Sequence, residues 1–174
     1  KNVQIQISKY FKGMKKSLLY DRAQNLKALY SLVISKKVKN LSEQILKTKH
    51  IGIWPRPQLR IDVKNDTKNN LNWHNDYIYN KGTQDSYTFW IPTVTLSSNM
   101  GLLLIAKNSH TKNFSNKFIK KDKKKRFNFT LPNKVLKKLS ISEIPTIKAG
   151  DLVLFHSKFL HSGQNNNSNM ARLT

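Results

Sequence analysis

The chain has 174 residues, 32 of them Lys or Arg against nine Asp or Glu, a net charge of +23, and its length suits one domain around a single core. It has no cysteine, which excludes disulfides and thiolate sites, so any metal must be held by His and carboxylate. No run of about 18 apolar residues and no charged-then-apolar leader is visible, so neither a membrane span nor a signal peptide is expected and the location is read as cytoplasmic.

From Tyr20 to Lys39 the apolar positions Leu26, Leu29, Tyr30 and Val33 follow the i, i+3, i+4, i+7 spacing of an amphipathic helix. Ser42 is placed to cap a second short helix through Leu46. Residues 1–50 are therefore expected to be mainly helical, with His50 a surface or helix-end histidine. Beyond His50 the period becomes alternating. Strands are expected at Ile51–Trp54, Gln58–Val63, Trp73–Tyr79, Tyr87–Ile91, Leu102–Ile105, Ile144–Ile147, Leu152–His156 and from Met170 onward, with turn-rich segments between them. Many short strands so punctuated read as a sandwich or barrel. The basic run Lys120–Arg126 reads as a mobile loop, and Pro132, Val135 and Leu139 suggest a short helix after it. The chain begins at Lys1 rather than Met and stops at Thr174 inside a strand-like pattern, so it is expected to be part of a longer protein.

The charge invites a nucleic-acid reading. Of the 32 basic residues, however, only five are Arg (Arg22, Arg56, Arg60, Arg126, Arg172), and Asn and Ile are also heavily used, the combination that an AT-rich genome produces. A solvated, codon-biased surface is the preferred reading, with an anionic substrate or partner as the other. No zinc finger, helix-turn-helix pattern or aromatic nucleic-acid motif is evident.

Chemistry concentrates in Trp73-His74-Asn75-Asp76-Tyr77. If this segment is a strand, His74 and Asp76 share a face with their Cα atoms about 6.6 Å apart, and one metal ion can be reached by both. With one distant histidine they would complete a 2-His-1-carboxylate facial triad, the arrangement that leaves adjacent positions open in non-heme Fe(II) oxygenases. The plain alternative is an Asp hydrogen-bonded to an ordinary strand histidine. Asp76 is one of only nine carboxylates, and in an aromatic segment an unpaired charge would be costly. For the third ligand His156 and His161 compete, and spacing alone does not choose between them.

Several blocks in order resemble the phytanoyl-CoA dioxygenase family of Fe(II)- and 2-oxoglutarate-dependent oxygenases. They run from about Leu59 to the end: Trp73-His74-Asn75-Asp76, Phe89-Trp90-Ile91-Pro92, Asn99-Met100-Gly101-Leu102-Leu103, Asn108-Ser109-His110, Gly150-Asp151-Leu152-Val153-Leu154-Phe155-His156, His161-Ser162-Gly163 and Arg172-Leu173-Thr174. The resemblance implies a mainly β double-stranded β-helix, a cupin-like jelly roll over residues 51–174, incomplete at its C-terminal end, with the N-terminal helices packed outside. It implies His74, Asp76 and His161 as iron ligands, His161 being preferred because it stands eleven residues before Arg172. Arg172 resembles the arginine that grips the distal carboxylate of 2-oxoglutarate, Thr174 the hydroxyl residue two places after it, and Trp90 a tryptophan lining the cosubstrate pocket. A guanidinium suits that task because its planar fork matches a carboxylate and stays charged.

The implied activity is hydroxylation of a small-molecule or carrier-linked substrate, with an anionic one among the candidates, using Fe(II), 2-oxoglutarate and O2, with release of succinate and CO2. A halogenase is disfavoured because Asp76 is present. His110 is read as a structural hydrogen-bonding residue, Asn75 stands where Gln is frequent in the family, and Arg56 and Arg60 are either pocket or surface residues. The rival readings are a jelly-roll binding protein without turnover and a basic nucleic-acid-binding module.

Overall fold

The computed structural model describes residues 25–54, 57–67, 70–114, 117–120 and 129–174, and the chain divides into two compact units, Lys1–Arg60 and Ile61–Thr174. The first unit contains helices α1 (Lys27–Val33) and α2 (Lys36–Leu46). The helix expected from Tyr20 to Lys39 is therefore broken; its residues 20–24 lie outside the described residues. Ser35 makes the break, since it is extended and its Oγ accepts from Val38 N at 3.4 Å, an N-cap for α2. Ser42 is not the cap: it lies inside α2 and donates its Oγ–H to Val38 O at 2.8 Å. Apolar spacing runs across a cap unchanged, so periodicity did not locate the break. Ile51–Trp54 forms no strand.

The second unit is mainly β. In chain order it contains β1 (Ile61–Asp62), α3 (Tyr77–Asn80), β2 (Tyr87–Trp90), β3 (Leu103–Ala106), β4 (Ile119–Lys120), β5 (Phe129–Thr130), α4 (Asn133–Leu136), β6 (Ile141–Glu143), β7 (Val153–His156), β8 (His161–Gly163) and β9 (Arg172–Leu173). They form small antiparallel sheets with orders β1-β9, β2-β7, β6-β3-β8 and β4-β5. Most pairings join distant parts of the chain: Asp62 stands opposite Arg172, Thr88 opposite Phe155, and Ile105 opposite His161.

Alternation along β3 separates two apolar clusters. Leu103 packs with Leu96, Met100, Leu102, Ile144, Ile147 and Phe155, whereas Ala106 packs with Phe114, Leu131 and Leu160. Val135 and Leu139, from α4 and the turn after it, cover the second cluster, as the apolar pair suggested. Gly101 has φ +77°, and a Cβ there would overlap the carbonyl oxygens of Gln164 and Asn165. Only glycine lets the turn before β3 approach the segment after β8 this closely.

The largest departure from expectation is at Trp73–Tyr79, which is not a strand. Only His74 makes a β-bridge, and the chain then turns at Asp76 (φ −68°, ψ −26°) into α3. Asn75 Oδ1 accepts from Ile78 N at 3.1 Å. This local side-chain bond offers the backbone a turn in place of a ladder and overrides the β preference of Tyr77, Ile78 and Tyr79. Ile144–Ile147 likewise lies after β6, with Ile147 joined to Leu96 by a single bridge. Among the described residues no helix is long and apolar enough to cross a membrane.

Candidate metal centre

His74 and His161 are brought side by side by reciprocal backbone hydrogen bonds, His74 N to His161 O at 3.1 Å and His161 N to His74 O at 2.9 Å. This is a two-residue antiparallel bridge between segments far apart in sequence. The turn between β7 and β8 holds the pairing. Tyr77 N donates to Ser157 O at 3.0 Å, Asn75 Nδ2 to Lys158 O at 3.4 Å, and Leu160 N to the buried Ser109 Oγ at 2.8 Å. In the Asn108-Ser109-His110 block it is thus Ser109 that supplies the structural hydrogen bond. His110 is exposed, with its ring 5.8 Å from that of Phe159.

Each histidine directs one nitrogen at a backbone carbonyl. His74 Nδ1 lies 2.6 Å from Asn72 O and His161 Nδ1 3.0 Å from Phe159 O. A carbonyl only accepts, so each Nδ1 carries a proton, and in the neutral ring Nε2 then has the lone pair with which imidazole ligates a metal. The Nε2 atoms lie 3.8 and 3.7 Å from Asp76 Oδ1. The three donor atoms fall within 4.8 Å of one another, and both rings are buried. His74 and Asp76 therefore do share a side, but because Asp76 sits at the start of a helical turn, not through strand alternation.

His156 is placed elsewhere. On β7 the side chains of Phe155 and His156 point to opposite faces. The Phe155 ring lies 4.8 Å from the His161 ring, whereas His156 packs against Tyr87 at 5.2 Å and near His110 at 5.9 Å. Its Nδ1 accepts from Lys158 N at 3.1 Å. Burial holds the His156 pKa below the ordinary histidine value, with His110 and Lys158 adding to the effect and Asp85 opposing it.

Three further residues escaped the sequence reading. Thr88, on β2, donates its hydroxyl to Asp76 Oδ2 at 2.5 Å. Tyr79 faces His74 with ring centroids 5.5 Å apart; burial raises its phenol pKa, a backbone hydrogen bond with Phe129 opposes this, and the Asp76 charge reinforces it. Asp62 is paired with Arg172. Nothing short-range marks Thr88 or Tyr79. Asp62 carried the same signal as Asp76, a scarce carboxylate within an apolar alternating stretch.

Arg172 is buried, so it is not a surface arginine. Its Nε and Nη2 donate to Asp62 Oδ2 at 3.2 and 2.9 Å, and its Nη1 to Gln164 O at 3.2 Å. One two-pronged edge of the guanidinium, Nε with Nη2, is therefore turned to Asp62, 2% exposed against 3% for the arginine. The same guanidinium lies 3.4 Å from the Cβ position of Gly163, two residues beyond His161 on β8. Trp90, at the end of β2, is half-buried and packs on the first apolar cluster, and Thr174 directly follows β9 and is half-buried. Arg60 is half-buried at the end of the first unit. Arg56 lies outside the described residues, as does most of Lys120–Arg126.

The Phytanoyl-CoA dioxygenase (PhyH) family matches residues 6–174. No curated protein matches significantly. Among solved structures, the chain is similar to the non-heme alpha ketoglutarate dependent epimerase SnoN from nogalamycin biosynthesis, with TM-score 0.61 and 15% identity over 88% of this chain and 56% of that one. The same epimerase in complex with Fe3+, alpha ketoglutarate and nogalamycin RO gives TM-score 0.58 and 13% identity over 88% and 59%. AviO1 from Streptomyces viridochromogenes Tue57 gives TM-score 0.58 and 15% identity over 82% and 56%. The chain thus spans 56% to 59% of the length of these structures. At such identities the likeness concerns the fold.

Proposed function

The chain belongs to the phytanoyl-CoA dioxygenase family, and from that membership we propose that it forms the catalytic part of an Fe(II)- and 2-oxoglutarate-dependent oxygenase. One observation carries the reading: two buried imidazoles, each with Nδ1 committed to a carbonyl, present Nε2 together with one carboxylate oxygen at a common point. Three such donors suit a divalent first-row metal, and Asp76 supplies the one formal negative charge. His74, Asp76 and His161 would hold the iron, which when bound supplies the oxidative chemistry that the side chains lack.

The chain's own residues have the remaining tasks. The two carbonyl-held histidines fix the tautomer and the ring orientation, and Phe155 and Tyr79 restrict water on two sides. Arg172 is the proposed partner of the distal carboxylate of 2-oxoglutarate, a reading supported by its closeness to Gly163 on the strand that carries His161. With Asp62 already engaged, that contact would add a third member to an existing ion pair. Thr174 and Trp90 are proposed to border the same pocket.

The proposed architecture is a single oxygenase domain with a jelly-roll core, supported by a family match that runs through both units. The proposed reaction is hydroxylation of a small-molecule or carrier-linked substrate, supported by retention of the carboxylate ligand Asp76. A cysteine-free chain suits a cytoplasmic setting. The second reading, a jelly-roll binding protein without turnover, is favoured by one observation, the engagement of Arg172 by Asp62.

The test is anaerobic addition of 2-oxoglutarate to the Fe(II)-loaded protein, followed by O2. A visible charge-transfer band and then succinate are expected. A metal-bound protein that gives neither would leave the binding reading in place.

A further inference from the structure

The two oxygens of Asp76 have different surroundings. Oδ1 faces both His Nε2 atoms, at 3.8 and 3.7 Å, while Oδ2 accepts the Thr88 hydroxyl at 2.5 Å. A carboxylate ligand has a choice that imidazole lacks: it binds a cation through one oxygen or chelates it through both. Chelation would consume one more coordination position than a facial triad can give up if a bidentate cosubstrate and a further ligand are also to bind.

We propose that Thr88 is a positioning residue that holds Asp76 to one-oxygen ligation by engaging Oδ2, and so keeps the neighbouring metal position open. This rests on the metal-centre reading above. Thr88 suits the task because its donor is held by a strand instead of a loop. It lies in the middle of β2, directly opposite Phe155 on β7, and Phe155 in turn packs against His161. A β-branched side chain has restricted χ1 freedom in a strand, so the hydroxyl is aimed with little entropic cost. An ionised carboxylate only accepts hydrogen bonds, so the direction of the contact is fixed, and a charged acceptor makes it a strong one.

Thr88→Val keeps the shape and removes the donor. The apo protein is titrated with Zn(II) by calorimetry, and the infrared difference on metal addition gives the separation of the antisymmetric and symmetric stretches of Asp76, assigned against Asp76→Ala. We expect a wide, one-oxygen separation in the wild type that narrows in Thr88→Val, with metal affinity lower by about 10- to 100-fold. Thr88→Ser should restore both, and the apo melting temperatures should stay together. In the Fe(II) forms, Thr88→Val should also need more 2-oxoglutarate to develop its charge-transfer band.

A narrow, chelating separation in the wild type itself overturns the proposal, even if no Thr88 variant folds. So does an unchanged separation and affinity in Thr88→Val. A wild-type protein that binds no divalent metal overturns instead the metal-centre reading on which it rests.

Discussion

The metal cluster and the Arg172–Asp62 pair are both made of buried or half-buried charged or titratable side chains brought together by antiparallel pairing, yet they are opposites electrostatically. In the cluster two imidazole nitrogens and a carboxylate oxygen converge, all of them potential electron donors, and Thr88 donates a hydrogen bond to the other oxygen of that carboxylate. Burying such donors together is unfavourable unless a cation joins them. In the pair, a guanidinium and a carboxylate register partner already neutralise one another, and Gln164 O takes a further N–H. The first arrangement calls for a ligand; the second is complete in itself and can only share one.

Removing the sole negative donor breaks the contrast most severely. Asp76→Ala leaves two neutral imidazoles, so succinate release coupled to substrate should fall to background even where the histidines retain some metal. Undiminished turnover would remove Asp76 from the ligand set. The next effect separates the two histidines that competed in the sequence. His161→Ala should weaken metal binding by orders of magnitude in a calorimetric titration, and His156→Ala, whose Nδ1 is bonded to Lys158 N, should leave it unchanged. The reverse result would transfer the third ligand to His156.

That competition marks how far the sequence alone could go. His-x-Asp, a distant histidine and an arginine eleven residues later pointed, through family resemblance, to three side chains that the fold brings together, but the strand argument for His74 and Asp76 rested on the wrong backbone. Asn75 and Asp76 turn the chain into α3, and a turn also places the side chains at i and i+2 close enough for their ligand atoms to meet. Strands with strong alternation or apolar runs, such as Tyr87–Trp90 and Val153–His156, were legible within a residue or two. The helix break at Ser35 was hidden because periodicity is blind to a cap. Thr88 and Asp62 matter through pairings 12 and 110 residues along the chain, which no local pattern encodes.

Arg172 sharpens the comparison from its other side. Arg172→Ala removes the guanidinium that pairs with the buried Asp62 carboxylate, so chemical unfolding should show a loss of about 3–5 kcal/mol. Replacing both with apolar residues should recover much of that loss. If Arg172 also meets the cosubstrate, its removal should raise the 2-oxoglutarate requirement about ten- to a hundredfold in the anaerobic titration, with Arg172→Lys between. Metal affinity should stay near that of the wild type, because no atom of the pair belongs to the cluster. Loss of stability with unchanged 2-oxoglutarate affinity would leave Arg172 a purely structural residue.

The smallest effect concerns the histidine that the cluster leaves out. Burial, together with His110 and Lys158, depresses the His156 pKa below 6.5 in the folded protein, against a weaker pull from Asp85. Above pH 6.5 the ring is neutral in both folded and unfolded chains, and its contribution to stability is fully present. As the pH falls through 6.5 the unfolded chain takes up the proton first. Stability is then lost until the depressed folded pKa is passed, where the loss levels off. His156→Gln keeps a polar side chain but cannot titrate, so the stability difference between pH 7.5 and 5.5 in urea should be smaller than in the wild type. His110 is the titratable neighbour of this ring, and His110→Gln in each background checks that the difference belongs to His156. An equal pH difference with and without His156 would mean that its ring stays as well solvated in the fold as in the open chain. The distinction between a ligating histidine on β8 and a packed one on β7 would then rest on geometry alone.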